Sequence, residues 1–383
     1  MKTHPVRASS TQKFIEGIVG NDLHAKRILS LANAVLGAAH AAALAIHAIG
    51  QALAQARGLN AKHAIKQVDR LLSNPKVTAW KFFEYWVPFL VRNRPDIVVA
   101  LDWTDFEPDD QTTVVISLVT THGRATPLLW STTVKSQLAE QRNQCEDDLL
   151  ARFREVLPAG VRVTVLADRA FGDGKLYDFL DKLGFDYVIR FRSCIKVTDA
   201  KGESKTAGEW VPPSGRPRKL EDARVTADAR RVGAVVCVQA KAMKEAWCLA
   251  TNLAGLPASG IIKLYGRRFT IEENFRDIKD LHFGMGLSSS QIRDPERRDK
   301  LLLVGAIATT LISLLGAAGE QLGMDRMLKA NTAKKRTHSL LRQGLYYYGA
   351  IPNMPEEKLI PLAEAFGNLV RNEPALAYVF SLE

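Results

Sequence analysis

The chain has 383 residues, 46% hydrophobic and 24% charged, which excludes a disordered or low-complexity polymer and leaves room for more than one buried core. Lys and Arg number 52 against 41 Asp and Glu, giving net +11 and pI ≈ 9.5, a surplus that suits a polyanion such as nucleic acid or an acidic membrane surface. Cys145, Cys194, Cys237 and Cys248 show no C-x-x-C spacing, so neither a zinc site nor a disulfide framework is expected, and reduced thiols in a cytosol fit best.

The first ten residues, MKTHPVRASS, lack the charged, apolar, small-residue order of a signal peptide, so the expected location is the bacterial cytoplasm, at the nucleoid. Residues 11 to 92 read as helices, broken at Gly58-Leu59-Asn60 and at Ser73-Asn74-Pro75, and give a helical N-terminal module over 1–94. Ile28 to Ala54 is membrane-like in its apolar content. Asn33, His40, His47 and Gln51 within it favour a buried helix-packing segment, and no membrane partner is expected. Lys62, Lys66 and Arg70 recur at i, i+4 and i+8, a cationic stripe that suits phosphates and equally suits a plain solvated face.

From Ile97 the pattern changes. Ile97 to Trp103, Thr112 to Thr121 and Arg124 to Ser131 are short β-branched or apolar runs joined by turn residues, as in an antiparallel meander. A helix over Ser136 to Val156, a strand over Val161 to Leu166, a helix over Lys175 to Leu183 and a strand over Phe185 to Arg190 follow. The order βββαβαβ is that of a ribonuclease-H-like α/β domain with a mixed sheet, its first part over 95–191.

Residues 192–246 break the alternation. This stretch has the turn cluster Pro212-Pro213-Ser214-Gly215 and reads as a β-rich insertion, with 12 Lys or Arg against 7 acids over 192–245. Trp247 to Thr251 returns to a strand and opens the second part of the domain, 247–315. A long helix is expected from Ile261 to Asp280, and the remainder reads as helical, apolar over Leu301 to Leu315 and basic over Lys329 to Arg336, with 316–383 a separate helical C-terminal region for dimerisation or DNA contact.

Two acids end apolar strands: Asp102 after Ile97 to Leu101, and Asp168 after Val163 to Ala167. A rigid strand aims such a carboxylate into a cleft, as phosphodiester cleavage requires when two Mg²⁺ ions about 3.5–4 Å apart share oxygen ligands. A turn or helix-cap role for each acid is the plain alternative. A third acid comes from the expected helix. At about 100° per residue Tyr265, Arg268, Glu272 and Lys279 share an arc of about 60°, and Leu264, Ile271, Phe275 and Ile278 form an apolar stripe beside it. Glu273 points elsewhere, which selects Glu272.

Tyr, two residues, Arg, three residues, Glu, six residues, Lys is the Y-R-E-K signature, and in these residues the chain resembles the IS4-type (Tn5-like) DDE transposases. The block Leu101-Asp102-Trp103-Thr104 looks like that family's first aspartate block, and Asp168-Arg169-Ala170-Phe171-Gly172-Asp173 looks like its second. Lys244 to Thr251 resembles the strand whose tryptophan stacks on a flipped base, a contact worth roughly 1–3 kcal/mol. Trp247 is then the candidate, with a core role as its alternative and Trp210 as a competitor.

The resemblance implies that Asp102, Asp168 and Glu272 are the catalytic, metal-binding residues for two Mg²⁺ (or Mn²⁺) ions, and that 1–94 binds DNA ends. It implies that Tyr265, Arg268 and Lys279 hold the DNA backbone, with Arg169 and Arg276 beside them. Arg293, Arg297 and Arg298, and Lys334, Lys335 and Arg336, are further candidates for phosphates, with solvated faces as the alternative. The implied partners are double-stranded DNA, as transposon terminal inverted repeats and as target, and a second copy in a synapsed homodimer. A nuclease of the same fold that never joins 3′ ends, and a transposase-derived DNA-binding regulator, stay open as alternatives.

Overall fold

The computed structural model of the chain describes residues 5–20, 22–120, 122–281, 284–334 and 336–371. The N-terminal region is a helical layer: α1 (Ala8–Val19), α2 (Ala25–Ala41), α3 (Ile46–Arg57), α4 (Ala61–Leu72) and α5 (Ala79–Val91). Gly58, left-handed at φ 64, ends α3, and the Asn60 side chain caps α4 by accepting from the His63 amide. The apolar run divides between α2 and α3, which meet at 96°. Gly37 lets α2 close on α3, and Gly50 lets α3 close on α4, because neither carries a side chain. A Cβ on Gly37 would stand 2.5 Å from the Ile49 carbonyl oxygen, and one on Gly50 would stand 2.4 Å from the Ile65 Cα. Small residues here serve packing between helices.

Among the described residues eight strands form one sheet in the order β3-β2-β1-β4-β5-β12-β11-β8. The strands β1 (Asp96–Phe106), β2 (Gln111–Val119) and β3 (Ala125–Val134) form the antiparallel meander. Helix α6 (Arg142–Val156) leads into β4 (Arg162–Ala167), and α7 (Gly174–Leu183) leads into β5 (Asp186–Phe191). Both strands run parallel, β4 to β1 and β5 to β4. The order 3-2-1-4-5 with these directions is the ribonuclease-H-like core. Side chains alternate across it as strand geometry dictates. Val99, Leu101, Val163, Val165 and Ala167 pack with Leu149, Leu150 and Phe153 of α6, whereas Ala100, Leu166 and Val188 face Ile261, Tyr265 and Ile271.

The structure differs from the expected elements in several places. The helix expected from Ser136 starts only at Arg142, because the Ser136 amide and hydroxyl are captured by the Asp110 carboxylate at 3.1 and 2.6 Å. The strands of the 192–246 insertion fall in two sheets. Two of its strands, β8 (Arg218–Glu221) and β11 (Ala234–Val238), extend the main sheet beyond β12 (Trp247–Thr251). Only β6 (Lys196–Thr198), β7 (Ser204–Thr206), β9 (Arg224–Val225) and β10 (Arg230–Arg231) make a second, four-stranded sheet. All five residues of β11 are buried, so their apolar run belongs to a sheet interior.

The helix expected over Ile261 to Asp280 is instead α8 (Ala258–Gly266), a 3-10 turn at Arg267–Phe269, and α9 (Thr270–Lys279). The division expected at 315 falls inside α10 (Pro295–Gln321). That helix is apolar enough to cross a bilayer, but 89% of its most apolar stretch lies buried within the protein. The basic run from Lys329 is turn and loop rather than helix, and Lys335 lies outside the described residues. Beyond it come α11 (Leu340–Ala350) and α12 (Glu356–Arg371).

Candidate active site

The register of β1 on β4 sets the first two acids. Leu101 pairs with Ala167, so Asp102 and Asp168 each stand one step beyond the same pair on neighbouring parallel strands. By alternation they share the face of Ala100 and Leu166, the face that α8 and α9 cover. Each carboxylate is oriented locally: Asp102 Oδ1 accepts from the Trp103 amide at 2.9 Å, and Asp168 Oδ1 from the Ala170 amide at 2.8 Å. Asp168 therefore also caps the 3-10 turn Arg169–Phe171, the plain role considered for it. Burial pushes the Asp102 carboxyl up to about 6. Arg268 draws it down, and the charges of Asp168 and Glu272 push it up again.

Arg268 joins the third acid to the first. Its guanidinium donates from Nη1 to Asp102 Oδ2 at 3.1 Å and from Nη2 to Glu272 Oε1 at 2.6 Å. Glu273 turns away to Arg124 and Arg276, as the helix periodicity requires. Lys279, one end of the signature, donates to Thr104 Oγ1 at 3.2 Å, two residues along β1 from Asp102, and lies 4.9 Å from the Phe106 ring centre. Burial lowers its pKa.

Tyr265 lies on this face, with its hydroxyl beside the Arg268 guanidinium. It is buried, with its ring edge-on to Trp247 at 4.9 Å, so the expected contact with the DNA backbone is not open to it in this arrangement. The tighter 3-10 turn between Tyr265 and α9 changes the rotation per residue that a continuous helix would keep.

Other expected DNA contacts divide. Lys62, Lys66 and Arg70 are exposed on α4, and Arg276 and Arg169 are exposed while paired with Glu273 and Glu245. Arg293, Lys334 and Arg336 are exposed, Arg336 in an ion pair with Glu320 at 2.7 Å. Arg297 is tied to Asp69 at 2.6 Å. Arg298 is fully buried on Asp109, Gln111 and the Ile292 carbonyl oxygen, with its guanidinium 4.0 Å from the Phe106 ring centre, so it is a core arginine and not a DNA contact. Trp210 is a core residue too, its indole donating to the Val197 carbonyl oxygen at 3.0 Å. Trp247 is partly buried.

Sequence reading missed two neighbours. Phe269 is exposed and tilted against Trp247 at 6.0 Å, and an aromatic directly after Arg268 on an otherwise polar arc is the signal that could have found it. Arg190, next to the end of β5 beside β4, bonds Glu245 at 2.8 Å and the Ala246 carbonyl oxygen.

Three carboxylates make an oxygen donor set that suits Mg²⁺ or Mn²⁺. The like charges that raise Asp102 are those a divalent cation would offset. Among the described residues no three His, Cys, Asp or Glu side chains stand close enough to hold an ion, because Glu272 is turned onto Arg268. The charges of Asp168 and Glu272 both act on Asp102, and Arg268 ties Glu272 to it, a donor set whose chemistry suits a divalent cation.

A ribonuclease-H-like sheet with one aspartate inside β1, a second just past the end of β4 and a helix-borne glutamate defines a protein of the nucleic-acid-processing class. The family model described as the transposase DDE domain matches residues 94–311, more than half the chain, and the chain belongs to that family. It is therefore a transposase, of an enzyme class that binds and cuts DNA and generally uses divalent metal ions. No protein with a curated description matches the chain.

Proposed function

We propose that the chain is an IS4-type transposase with the Y-R-E-K signature that moves its element by cut and paste, with Asp102, Asp168 and Glu272 as the catalytic triad. The observation that carries this reading is the Arg268 guanidinium held between Asp102 and Glu272, on the face where register sets Asp168 beside Asp102.

Asp102 and Asp168 would hold two Mg²⁺ or Mn²⁺ ions, joined by Glu272 when it leaves Arg268. Bound there, the ions would lower the pKa of the attacking water and offset charge on the leaving oxygen. Arg268, freed from Glu272, takes a DNA phosphate, and Lys279 positions the strand that becomes a hairpin. Trp247 and the exposed Phe269 offer the flat apolar edge against which a flipped base stacks. Tyr265 backs the Trp247 ring from beneath. Arg169, Arg276, Lys62, Lys66 and Arg70 meet the backbone of the terminal inverted repeats. The freed 3′-OH attacks the opposite strand, the hairpin is reopened, and a synapsed homodimer joins the ends to target DNA.

The test is a strand-transfer assay with a duplex bearing the inverted repeats that flank the coding sequence, a supercoiled target plasmid and Mg²⁺. Joined 3′ ends are expected. Nicking without joining would turn the reading into a nuclease of the same fold, and end binding without nicking into a DNA-binding regulator.

A further inference from the structure

Behind the two aspartates, on the opposite face of the sheet, lies a polar cluster with no part in the site described so far. Trp103 follows Asp102, so its side chain passes to that other face. Its indole Nε1 donates to Glu146 Oε1 at 2.7 Å, and Arg142 Nε donates to the same oxygen at 3.0 Å. The Arg142 guanidinium lies 5.5 Å from the Trp103 ring centre and 5.7 Å from that of Phe171. Phe171 closes the turn after Asp168, its amide donating to the Asp168 carbonyl oxygen at 3.1 Å. One ion pair on α6 thus touches the segment that follows each aspartate, and those segments supply the amides that orient the two carboxylates.

Docking of α6 does not require this pair. Leu149, Leu150 and Phe153 already bury the helix against the sheet. Glu146 is only 5% exposed, and a carboxylate so placed loses hydration that an apolar residue would not miss. Its value lies in direction: a charged acceptor fixes the indole, and the guanidinium stands beside both the Trp103 and the Phe171 rings.

We infer that Glu146 and Arg142 are positioning residues, which lock the Trp103 and Phe171 segments and so set the spacing at which Asp102 and Asp168 share divalent cations. The inference rests on the metal-holding reading of those aspartates. Residues behind direct metal ligands typically change affinity by about 10- to 100-fold when removed.

The experiment measures Mn²⁺ affinity of the full chain by electron paramagnetic resonance of the free ion, with the melting temperature recorded alongside. Glu146→Ala and Trp103→Phe should each weaken binding roughly tenfold or more, the double variant should be no weaker than the weaker single, and Glu146→Gln should stay within about threefold of the parent. A lower melting temperature with unchanged affinity of the folded protein would make the cluster merely structural and overturn the inference, as would unchanged affinity at an unchanged melting temperature. If Glu146→Ala does not fold, Trp103→Phe decides, since it keeps an aromatic side chain in place of the indole and removes the N–H donor. Asp102→Ala is the separate control. Parental Mn²⁺ affinity in that variant rejects the metal-holding reading itself, and loss of binding there with parental affinity in Trp103→Phe rejects the positioning role alone.

Discussion

Two buried arginines, Arg268 ahead of α9 and Arg298 at the start of α10, look alike in sequence and do different things. Arg268 is 7% exposed, but its partners Asp102 and Glu272 are 17% and 50% exposed. Arg298 is sealed, and so is its partner Asp109 at 6%. The burial of the partner carboxylate, more than that of the arginine, separates an ion pair that can open from one that cannot. An open partner can exchange a guanidinium for water or a cation at little cost. A sealed one cannot be left without its counter-charge.

Removing each cation should expose this contrast. Arg298→Ala strands the Asp109 carboxylate and the Gln111 side-chain oxygen in the interior, and should cost about 3–5 kcal/mol in urea unfolding while the DNA affinity of the folded fraction holds. Arg268→Ala leaves carboxylates that reach water. Its loss should be smaller, about 1–2 kcal/mol in chelator, and Mn²⁺ should recover part of it by supplying the missing positive charge. Equal losses, with no recovery by Mn²⁺, would break the comparison.

A third variant sharpens it on α10. Asp299 lies next to Arg298 in sequence, its Oδ1 is buried without a hydrogen-bond partner, and burial pushes its carboxyl up to about 7 from an ordinary 3.8. The unfolded chain therefore releases this proton first. Asp299 contributes fully to stability below pH 3.8, and its contribution falls as pH rises towards 7. Asp299→Asn should remove that decline, so its stability relative to the parent should grow from pH 4 to pH 7. A difference that stays flat over this range would show that Asp299 ionises normally in the fold.

The smallest effect belongs to an exposed residue whose side chain makes no ion pair or hydrogen bond among the described residues. Lys66→Ala on the exposed face of α4 should leave unfolding within about 0.5 kcal/mol of the parent. It should reduce the dependence of log affinity for end DNA on log salt by about one charge. An unchanged slope would make the stripe a solvated face.

Much of the site is legible in the amino-acid order because two periodicities carry it. Apolar runs ending in Asp102 and Asp168 mark strands buried on both faces, and the helical arc separates Glu272 from Glu273, whose side chains the structure sends to different partners. Burial is not written there. Arg297 and Arg298 read as a basic pair, yet α10 ties the first to Asp69 and encloses the second. The break at Arg267–Phe269 is equally hidden, since Arg268 bonds a carboxylate 166 residues away and Tyr265 packs against Trp247 on the preceding strand. The insertion reads as one module because its turn cluster at Pro212-Pro213-Ser214-Gly215 breaks the strand and helix alternation, whereas strand pairing, which no local pattern encodes, gives two of its strands to the main sheet.

The most direct measurement is anomalous scattering from crystals of the chain grown with Mn²⁺ and end DNA. The account expects manganese peaks bounded by Asp102, Asp168 and Glu272, with Glu272 Oε1 released from Arg268 and the guanidinium on a phosphate. Manganese held by other side chains, with Glu272 still on Arg268, would contradict it.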